Sequence, residues 1–255
     1  MHQTDHHKGG ILFMRPEYET NRLLLSTSHP DKADSVLRFY ERNREFLEPY
    51  EPVKRPGFYT LDFQRTNLTF EYNSFVKARY LRMWMYLKET PDIPIGTVCF
   101  SNFLKGAFSS CMIGYKTDKD HLRQGYMTEA LSFLVPLVCR EYHFHRIEAY
   151  VMPDNPASIS LLENLTFHRE GLLHDFAQIN GKWEDHYIYT YLACDLSGLF
   201  FPHFCPSTRS FLRFFLFLLL FAEITKKVLQ HLPAFRFHHP VLYDRLVIKS
   251  LHLQQ

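Results

Sequence analysis

A short loop with the sequence Leu122-Arg-Gln-Gly125 has the residue types of an anion-binding site. It lies between a predicted strand and a predicted helix, and the start of a helix offers unpaired amides and a partial positive charge. Gly125 lets the backbone approach a ligand closely, and the neighbouring His121 and Arg123 add positive potential. The pattern favours the binding of a pyrophosphate group, although an ordinary strand-to-helix turn has the same composition.

Further polar clusters follow this loop at regular places in the chain. They are Asn155-Pro-Ala-Ser158, Leu162-Glu-Asn-Leu-Thr-Phe167, Glu170-Gly171 and Gly181-Lys-Trp-Glu-Asp-His186. Each cluster is commonplace when taken alone, because an asparagine often caps a helix and a serine often lies in a first helical turn. Their order and spacing along the chain are what carry information.

The elements that position these clusters are predicted from hydrophobic periodicity and from turn residues. Strands are expected at about 22–27, 81–88, 95–100, 110–116, 146–152, 167–179 and 183–192. A helix-start signal at 28–31 is expected to lead into a helix that ends at about 43, and further helices are expected at about 61–76, 126–142 and 156–165. Turns are expected at 89–92 and at Asn180-Gly181, the pair most typical of a tight hairpin. The order βααβββαβαββ predicts a mixed sheet with helices on both faces.

The composition divides the chain into parts of different character. Of the 255 residues, 46% are hydrophobic and 22% are charged, which excludes an intrinsically disordered chain. The total net charge of +2 gives no argument for direct binding of nucleic acid. Residues 197–255 nevertheless carry a net charge of +5 and 10 of the 24 phenylalanines, which leaves −3 for residues 1–196. We expect an N-terminal extension at 1–14, a globular domain at 15–196 and a basic, Phe-rich extension at 197–255 that is helical or poorly ordered.

The five cysteines and the N-terminus indicate a cytoplasmic protein. The cysteines are widely spaced and form no Cys-x-x-Cys pair, so neither a disulfide framework nor a metal site is expected. Reduced thiols fit a cytosolic chain, and the polar N-terminus is not a secretory signal.

The C-terminal extension contains the longest apolar run of the sequence, Phe214 to Ala222. Nine helical residues span about 14 Å, against a bilayer core of roughly 30 Å. Arginines precede the run and lysines follow it, so the 207–232 segment fits weak attachment to an anionic membrane surface. Packing on the protein's own surface, or on a second copy of the chain, is the alternative.

Taken together, the clusters resemble the GNAT acetyltransferase superfamily, in its ribosomal-protein N-terminal acetyltransferase-like branch (the RimJ/RimL type). The resemblance extends from about Glu19 to Leu192. Its motifs are Glu19-Thr-Asn-Arg-Leu-Leu-Leu25, Asn43-Arg-Glu-Phe-Leu-Glu-Pro49, Ile113-Gly-Tyr115, Gly125-Tyr-Met-Thr-Glu-Ala130, Arg146-Ile-Glu-Ala-Tyr150 and the clusters given above. It implies an α/β (α+β) GNAT fold, with a mixed central sheet splayed between its fourth and fifth strands and helices on both faces.

The resemblance also implies acetyl-CoA as the cosubstrate, with no metal. The pantetheine arm is then expected to lie in the splay and to pair with backbone groups like an added strand. The expected cofactor-binding residues are Tyr115, whose strand supplies backbone N–H groups to the oxyanion, the loop residues Arg123, Gln124, Gly125, Tyr126 and Met127 around the pyrophosphate, and Asn155 on the pantetheine arm. Ser158 is the catalytic residue expected to protonate the departing thiolate.

Several positions depart from the family pattern. Arg123 stands where the phosphate loop usually has its first glycine, and Thr166 replaces the common glycine before Phe167. Some relatives carry a glutamate as general base where this chain has Ala177. The base therefore stays open between water and a carboxylate such as Glu148 or Asp175, and Glu148 is alternatively a salt-bridged strand residue.

The function implied is acetyl transfer to a primary amine, foremost a protein N-terminal α-amine such as that of a ribosomal protein. A small-molecule or antibiotic amine is the main alternative acceptor. A catalytically degenerate acyl-CoA-binding module is the alternative of a different class. The acceptor is expected to be selected by the 48–59 segment and by the Asn180 hairpin.

Overall fold

The computed structural model describes residues 14–27 and 29–193. The predicted extension 197–255, with its 207–232 segment, and residues 1–13 lie outside the described residues. The strands are β1 (Glu17–Glu19), β2 (Leu23–Ser26), β3 (Leu81–Leu87), β4 (Thr90–Leu104), β5 (Ser110–Thr117), β6 (Arg146–Val151), β7 (His168–Ile179) and β8 (Lys182–Leu192). The α-helices are α1 (Ala33–Arg42), α2 (Arg44–Leu47), α3 (Leu61–Val76), α4 (Tyr126–Tyr142) and α5 (Pro156–Asn164), and short 3-10 turns cover Pro30–Lys32, Glu48–Tyr50 and Lys119–His121.

The eight strands form one sheet in the order β1-β2-β3-β4-β5-β6-β8-β7. Only the β5–β6 pair is parallel, and every other neighbouring pair is antiparallel. The helix α4 connects the parallel pair, as a crossover between parallel strands requires. The mixed sheet predicted from the sequence is confirmed.

The helices pack on both faces of this sheet, because β3 turns alternate side chains to opposite sides. Met83 and Met85 belong to the larger core, which includes most of the buried face of α4. Trp84 and Tyr86 belong to a second core that contains Phe39 of α1. The two-sided arrangement predicted from the order of elements is therefore confirmed.

Local signals set most of the boundaries. Thr60 caps α3, since its side chain accepts a hydrogen bond from the Phe63 amide. Asn180 and Gly181 have φ angles of 45° and 82° in the β7–β8 turn, as a tight hairpin between twisted strands requires. The predicted hairpin is confirmed, and so are the bounds predicted for α3 and α4.

The structure differs from the predicted elements in two places. The strand β1 was not foreseen, because three residues that pair only with β2 carry almost no local pattern. The turn placed at 89–92 lies at Lys88 and Glu89 instead, and β4 resumes at Thr90 despite Pro91 and Pro94. The helix expected to follow the start signal at 28–31 is confirmed, since a 3-10 turn at Pro30–Lys32 leads into α1 at Ala33.

No helix within residues 14–27 and 29–193 combines the length and the apolar character that a bilayer crossing demands.

Candidate active site

The strands β5 and β6 separate along their length and leave a gap in the sheet. They pair at Ser110–Arg146, Cys111–Ile147 and Met112–Glu148, and the described residues contain no pair beyond these. From Ile113 to Thr117, β5 is paired only with β4. The splay implied by the resemblance is confirmed. Its strands are the fifth and sixth in the structure because β1 precedes the strands that were predicted.

Two hydroxyl groups are in contact beside this gap, one from β5 and one from the helix that follows β6. The Oη atom of Tyr115 on β5 lies 2.5 Å from the Oγ atom of Ser158 on α5, the helix that follows β6. Either hydroxyl can be the donor, because both atoms donate and accept. Burial raises the pKa of Tyr115 to about 12, so its hydroxyl is protonated at neutral pH. The pair can therefore hold and pass a proton.

The start of α5 fixes the position of Ser158. Asn155 is the N-cap, and its Oδ1 atom accepts a hydrogen bond of 3.1 Å from the Ser158 amide. Pro156 occupies the first helical position, where its missing N–H costs nothing. The cap uses the Asn155 side-chain oxygen and leaves the Nδ2 group available as a donor.

The loop before α4 keeps a glycine-like shape although it has only one glycine. Arg123 has a φ of 56° and Gly125 a φ of 77°, both in the left-handed region. Arg123 therefore adopts the conformation that a glycine in its place would adopt without strain. Gly125 is the N-cap of α4, so the first amides of that helix have no intrahelical acceptor.

A clamp from the turn between β1 and β2 holds this loop from one side. The Arg22 side chain donates from Nε to Glu129 Oε2 at 2.7 Å and from Nη1 to the Gln124 carbonyl at 2.9 Å. Glu129 also accepts from the Thr20 hydroxyl at 2.6 Å. Burial alone would raise the pKa of Glu129, but the hydrogen bonds from Thr20 and Arg22 outweigh it and hold that pKa below its usual value. The guanidinium lies 4.5 Å from the Tyr126 ring centroid, so it contacts the first residue of α4 as well.

A buried carboxylate holds the loop from the other side. Asp118 is fully buried and accepts hydrogen bonds from Arg42 Nε at 2.7 Å and from Asn43 Nδ2 at 2.8 Å. His121 Nδ1 lies 3.1 Å from the same carboxylate, and Asn43 Oδ1 accepts from the Lys119 amide. Burial would raise the pKa of Asp118, but these partners together lower it. The loop is thus attached both to the end of α1 and to the turn between β1 and β2.

The other face of the gap carries Glu148 and Tyr150, which share a face of β6 as predicted. Glu148 accepts from Arg146 Nε at 2.6 Å and from the Tyr150 hydroxyl at 2.6 Å. The Tyr150 ring stacks on Phe176 at 4.5 Å between centroids, and Phe176 in turn contacts His186. Glu148 is therefore a salt-bridged strand residue, and its role as general base stays a prediction.

The other open carboxylate, Asp175, lies on β7 with a φ of 46°. Its backbone amide donates to Asp185 Oδ1 at 2.9 Å. Its role as the base likewise stays a prediction. Among the described residues, no group of histidine, cysteine, aspartate and glutamate side chains has the arrangement of a metal site.

The structure brings some of the predicted site residues together and leaves others apart. Tyr115 and Ser158 are in contact, although the prediction for Tyr115 concerned its backbone and not its hydroxyl. The predicted residues Arg123 to Met127 form one continuous turn into α4. Sequence analysis missed the clamp by Arg22 and the anchor at Asp118. Their partners lie 107 and 75 positions away along the chain, which no local spacing reveals.

Comparison with known proteins decides the family. A model of the family described as "Acetyltransferase (GNAT) domain" matches residues 22–168, which is more than half of the chain. The chain belongs to the GNAT acetyltransferase family. It is thus an acyltransferase of the N-acetyltransferase class, and the matched range contains the gap, the loop before α4 and α5.

The GNAT domain is similar to relatives that act on ribosomal proteins by name. It is 34% identical over 171 residues to the [ribosomal protein uS5]-alanine N-acetyltransferase of Escherichia coli (strain K12), covering 66% of this chain and 86% of the relative. The crystal structure of ribosomal-protein-S5-alanine acetyltransferase from Vibrio fischeri has a TM-score of 0.67 at 26% identity, covering 70% of this chain and 97% of that chain. Mycobacterium smegmatis RimJ in complex with CoA-disulfide has a TM-score of 0.63 at 25% identity, covering 67% and 82% of the two chains.

Proposed function

We propose that the GNAT domain transfers the acetyl group of acetyl-CoA to the α-amine of a protein N-terminus. The observation that carries the proposal is the hydroxyl pair of Tyr115 and Ser158 at the gap between β5 and β6. The names of two similar proteins, the E. coli uS5-alanine and V. fischeri S5-alanine acetyltransferases, support a protein N-terminus as acceptor. The CoA-disulfide complex of the similar RimJ supports a CoA thioester as donor.

The residues present fit acetyl-CoA. The edge of β5 from Ile113 to Thr117 is not covered by β6, so it offers backbone groups to an extended pantetheine arm. The first amides of α4 and the side chain of Arg123 suit the pyrophosphate. Gly125 has a φ of 77°, which side chains rarely adopt, and a Cβ atom there would be in van der Waals contact with the Arg22 Nη2 atom at 3.4 Å. The Asn155 Nδ2 group would donate to a carbonyl of the pantetheine arm.

Acetyl-CoA, when bound, supplies an acyl group activated as a thioester, so the new N–C bond forms as the C–S bond breaks. Ser158 then donates its hydroxyl proton to the departing sulfur, and the Tyr115 hydroxyl, 2.5 Å away, can restore that proton to Ser158. Backbone N–H groups of β5 near Tyr115 stabilise the negative charge that develops on the carbonyl oxygen.

The acceptor amine must lose a proton before it attacks. Glu148 is the carboxylate that we assign to receive it, directly or through water, because it lies on β6 opposite the last paired residue before the gap. Its hydrogen bonds from Arg146 and Tyr150 fix its position. Replacement of Glu148 by glutamine should remove a limb of the pH–rate profile, and an unchanged profile would eliminate it as the base.

The test is mass-spectrometric detection of acetylated products from a library of peptide N-termini incubated with acetyl-CoA and the full chain. We expect a mass increase of one acetyl group at the α-amine of a subset of peptides. The Ser158→Ala variant should form little product, whereas Ser160→Ala, an exposed serine on the same helix, should match the wild type. Acetylation confined to small-molecule amines would overturn the acceptor class, and binding of acetyl-CoA without any product would overturn the enzymatic function.

A further inference from the structure

The segment between α2 and α3 surrounds a second cavity, separate from the gap. It has a volume of about 390 Å³. Its lining consists of Arg44, Glu48, Val53, Lys54, Arg55, Gly57, Phe58, Tyr59 and Thr60. Three of these side chains are cationic and only one is anionic, so the cavity has an excess of positive charge. Nothing in the proposed acetyl transfer uses these cations.

The single carboxylate of the cavity lining, Glu48, already has hydrogen-bond partners within the lining. Glu48 accepts from Arg44 Nε at 2.9 Å and from the Tyr59 hydroxyl at 3.1 Å. The Arg44 guanidinium also lies 4.6 Å from the centroid of the Tyr59 ring, which orients it. Arg44 and Glu48 therefore compensate each other and leave the charge of the cavity to the remaining cations.

The remaining cations are Lys54 and Arg55. Lys54 forms an ion pair with the buried Glu51, but Lys116 of β5 forms an ion pair with the same carboxylate. One carboxylate thus faces two lysines, and a positive charge remains. Arg55 is exposed, and within the described part of the chain it forms no ion pair. Because Lys54 is largely buried and paired with Glu51, the charge that the cavity presents to solvent is that of Arg55, which is available to an anion.

The same ion pairs connect the cavity to the gap. Lys54 lines the cavity, Glu51 bridges it to Lys116, and Lys116 adjoins Tyr115 on β5. The Asn180 amide at the tip of the β7–β8 hairpin donates to the Glu51 carbonyl at 3.0 Å, so the hairpin meets this segment. Lys116 lies on the face of β5 opposite the Tyr115 side chain, so a polypeptide that enters the gap from the Lys116 face would extend its next residues toward the cavity.

We infer that the cavity around Arg55 and Lys54 selects acceptor polypeptides that carry an acidic side chain a few residues after the acetylated amine. This inference rests on the proposed function and adds a substrate class to it. The Phe58 ring, with the Lys54 Nζ atom 4.8 Å from its centroid, gives the cavity an apolar wall for the methylene groups of a glutamate. The exposed Arg55 supplies the charge that meets the carboxylate.

The test compares two peptides that are acetylated by the wild type and differ only by glutamate or glutamine at positions three to five. We expect kcat/KM to be about fivefold higher for the glutamate peptide at low ionic strength, as for an exposed ion pair, and the preference to decline with added salt. Arg55→Lys should retain the preference, Arg55→Gln should reduce it, and Arg55→Glu should reverse it. Arg79→Glu, an exposed arginine outside the cavity lining, is the control for net charge and should retain it.

The outcomes separate the inference from the function on which it rests. Equal rates for the two peptides with the wild type, or an unchanged preference in Arg55→Glu, would overturn the inference and leave N-terminal acetylation intact. Absence of product from every peptide would overturn both. The glutamine peptide reports on folding, because Arg55→Glu should acetylate it at least as fast as the wild type does.

Discussion

At the scale of single residues, the contact between the Tyr115 and Ser158 hydroxyls is the feature on which the proposed proton transfer depends. Ser158 is oriented by its own amide, which the Asn155 side chain caps, so removal of the hydroxyl leaves the backbone in place. In the proposed reaction Tyr115 acts through Ser158, whose Oγ atom lies 2.5 Å from the Tyr115 Oη atom.

The first prediction concerns Ser158. Ser158→Ala should lower kcat by about 10²-fold, because a positioned acid or base contributes 10²–10⁴-fold, while the KM for acetyl-CoA changes little. Tyr115→Phe should lower kcat less and should change the solvent deuterium isotope effect on kcat, which a purely structural defect would not do. Steady-state kinetics in H2O and in D2O measures both, with Ser160→Ala as the control. An unchanged kcat in Ser158→Ala would remove Ser158 from the mechanism.

The second prediction concerns the strain at Thr166, which has a φ of 63°. Its amide donates to the Glu163 carbonyl and the Phe167 amide donates to the Leu162 carbonyl, the pattern that closes a helix with a left-handed residue. A β-branched residue is a poor occupant of this conformation. Thr166→Gly should raise the free energy of unfolding by about 1 kcal/mol, and Thr166→Ala should raise it less. Urea titration measures the difference, and destabilisation by glycine would contradict the interpretation.

Two departures from the family pattern thus have one physical explanation. Arg123 and Thr166 each replace a glycine, and each adopts the left-handed conformation that glycine favours. The backbone at both positions is held in this conformation, although it is strained for a residue with a side chain. The sequence could show that the glycines are absent, but the compensating contacts, such as the clamp by Arg22, join residues about a hundred positions apart.

At the scale of elements, local signals explain which parts of the fold could be predicted. The helices α3 and α4 begin at a threonine cap and at Gly125, so their bounds follow from nearby residues. The strand β1 has no such signal, since its three residues are held only by pairing with β2. The site follows the same rule: the loop before α4 was predictable, and its anchors at Asp118 and Glu129 were not.

The third prediction concerns the anchor at Asp118, which links the loop to α1. The pKa of this buried carboxyl is lowered in the folded protein, so its ionisation stabilises the fold above its unfolded pKa, which is about 3.9. That stabilisation is lost as the pH falls through the lower folded pKa. Asp118→Asn should reduce stability by about 2 kcal/mol at pH 7, because Arg42 loses its partner. The deficit relative to the wild type should shrink below pH 4.

Urea denaturation at pH 7 and at pH 3 measures this difference. Asp92→Asn is the control, because Asp92 is an exposed carboxylate whose ion pair with Lys32 lies at the surface. Its effect should be within about 1 kcal/mol at either pH. A deficit for Asp118→Asn that is the same at both pH values would mean that the ionised carboxylate is not what stabilises the loop.

At the scale of the whole molecule, the two faces of the sheet carry different parts of the candidate site. One face packs α4 and α5 around the larger core and carries the hydroxyl pair of Tyr115 and Ser158. The other carries Glu148, the buried Glu51 and the basic cavity between α2 and α3. The gap between β5 and β6 opens the sheet between these faces, so a donor bound on one side can meet an acceptor that arrives from the other.

The last prediction tests the donor side in the full chain. Acetyl-CoA at one hundred times its Kd should stabilise the folded protein by about 2.7 kcal/mol, because a ligand that binds only the folded state shifts the unfolding equilibrium. AMP at the same concentration should shift the melting temperature much less, since it lacks the pyrophosphate and the pantetheine arm.

Two variants separate binding from turnover. Ser158→Ala should keep the shift although it loses turnover, because its hydroxyl is proposed to act on the departing sulfur. Glu129→Gln should reduce the shift, because Arg22 then loses the carboxylate that directs it onto the loop. A shift that is equal in wild type and Glu129→Gln would show that the clamp does not organise the phosphate loop.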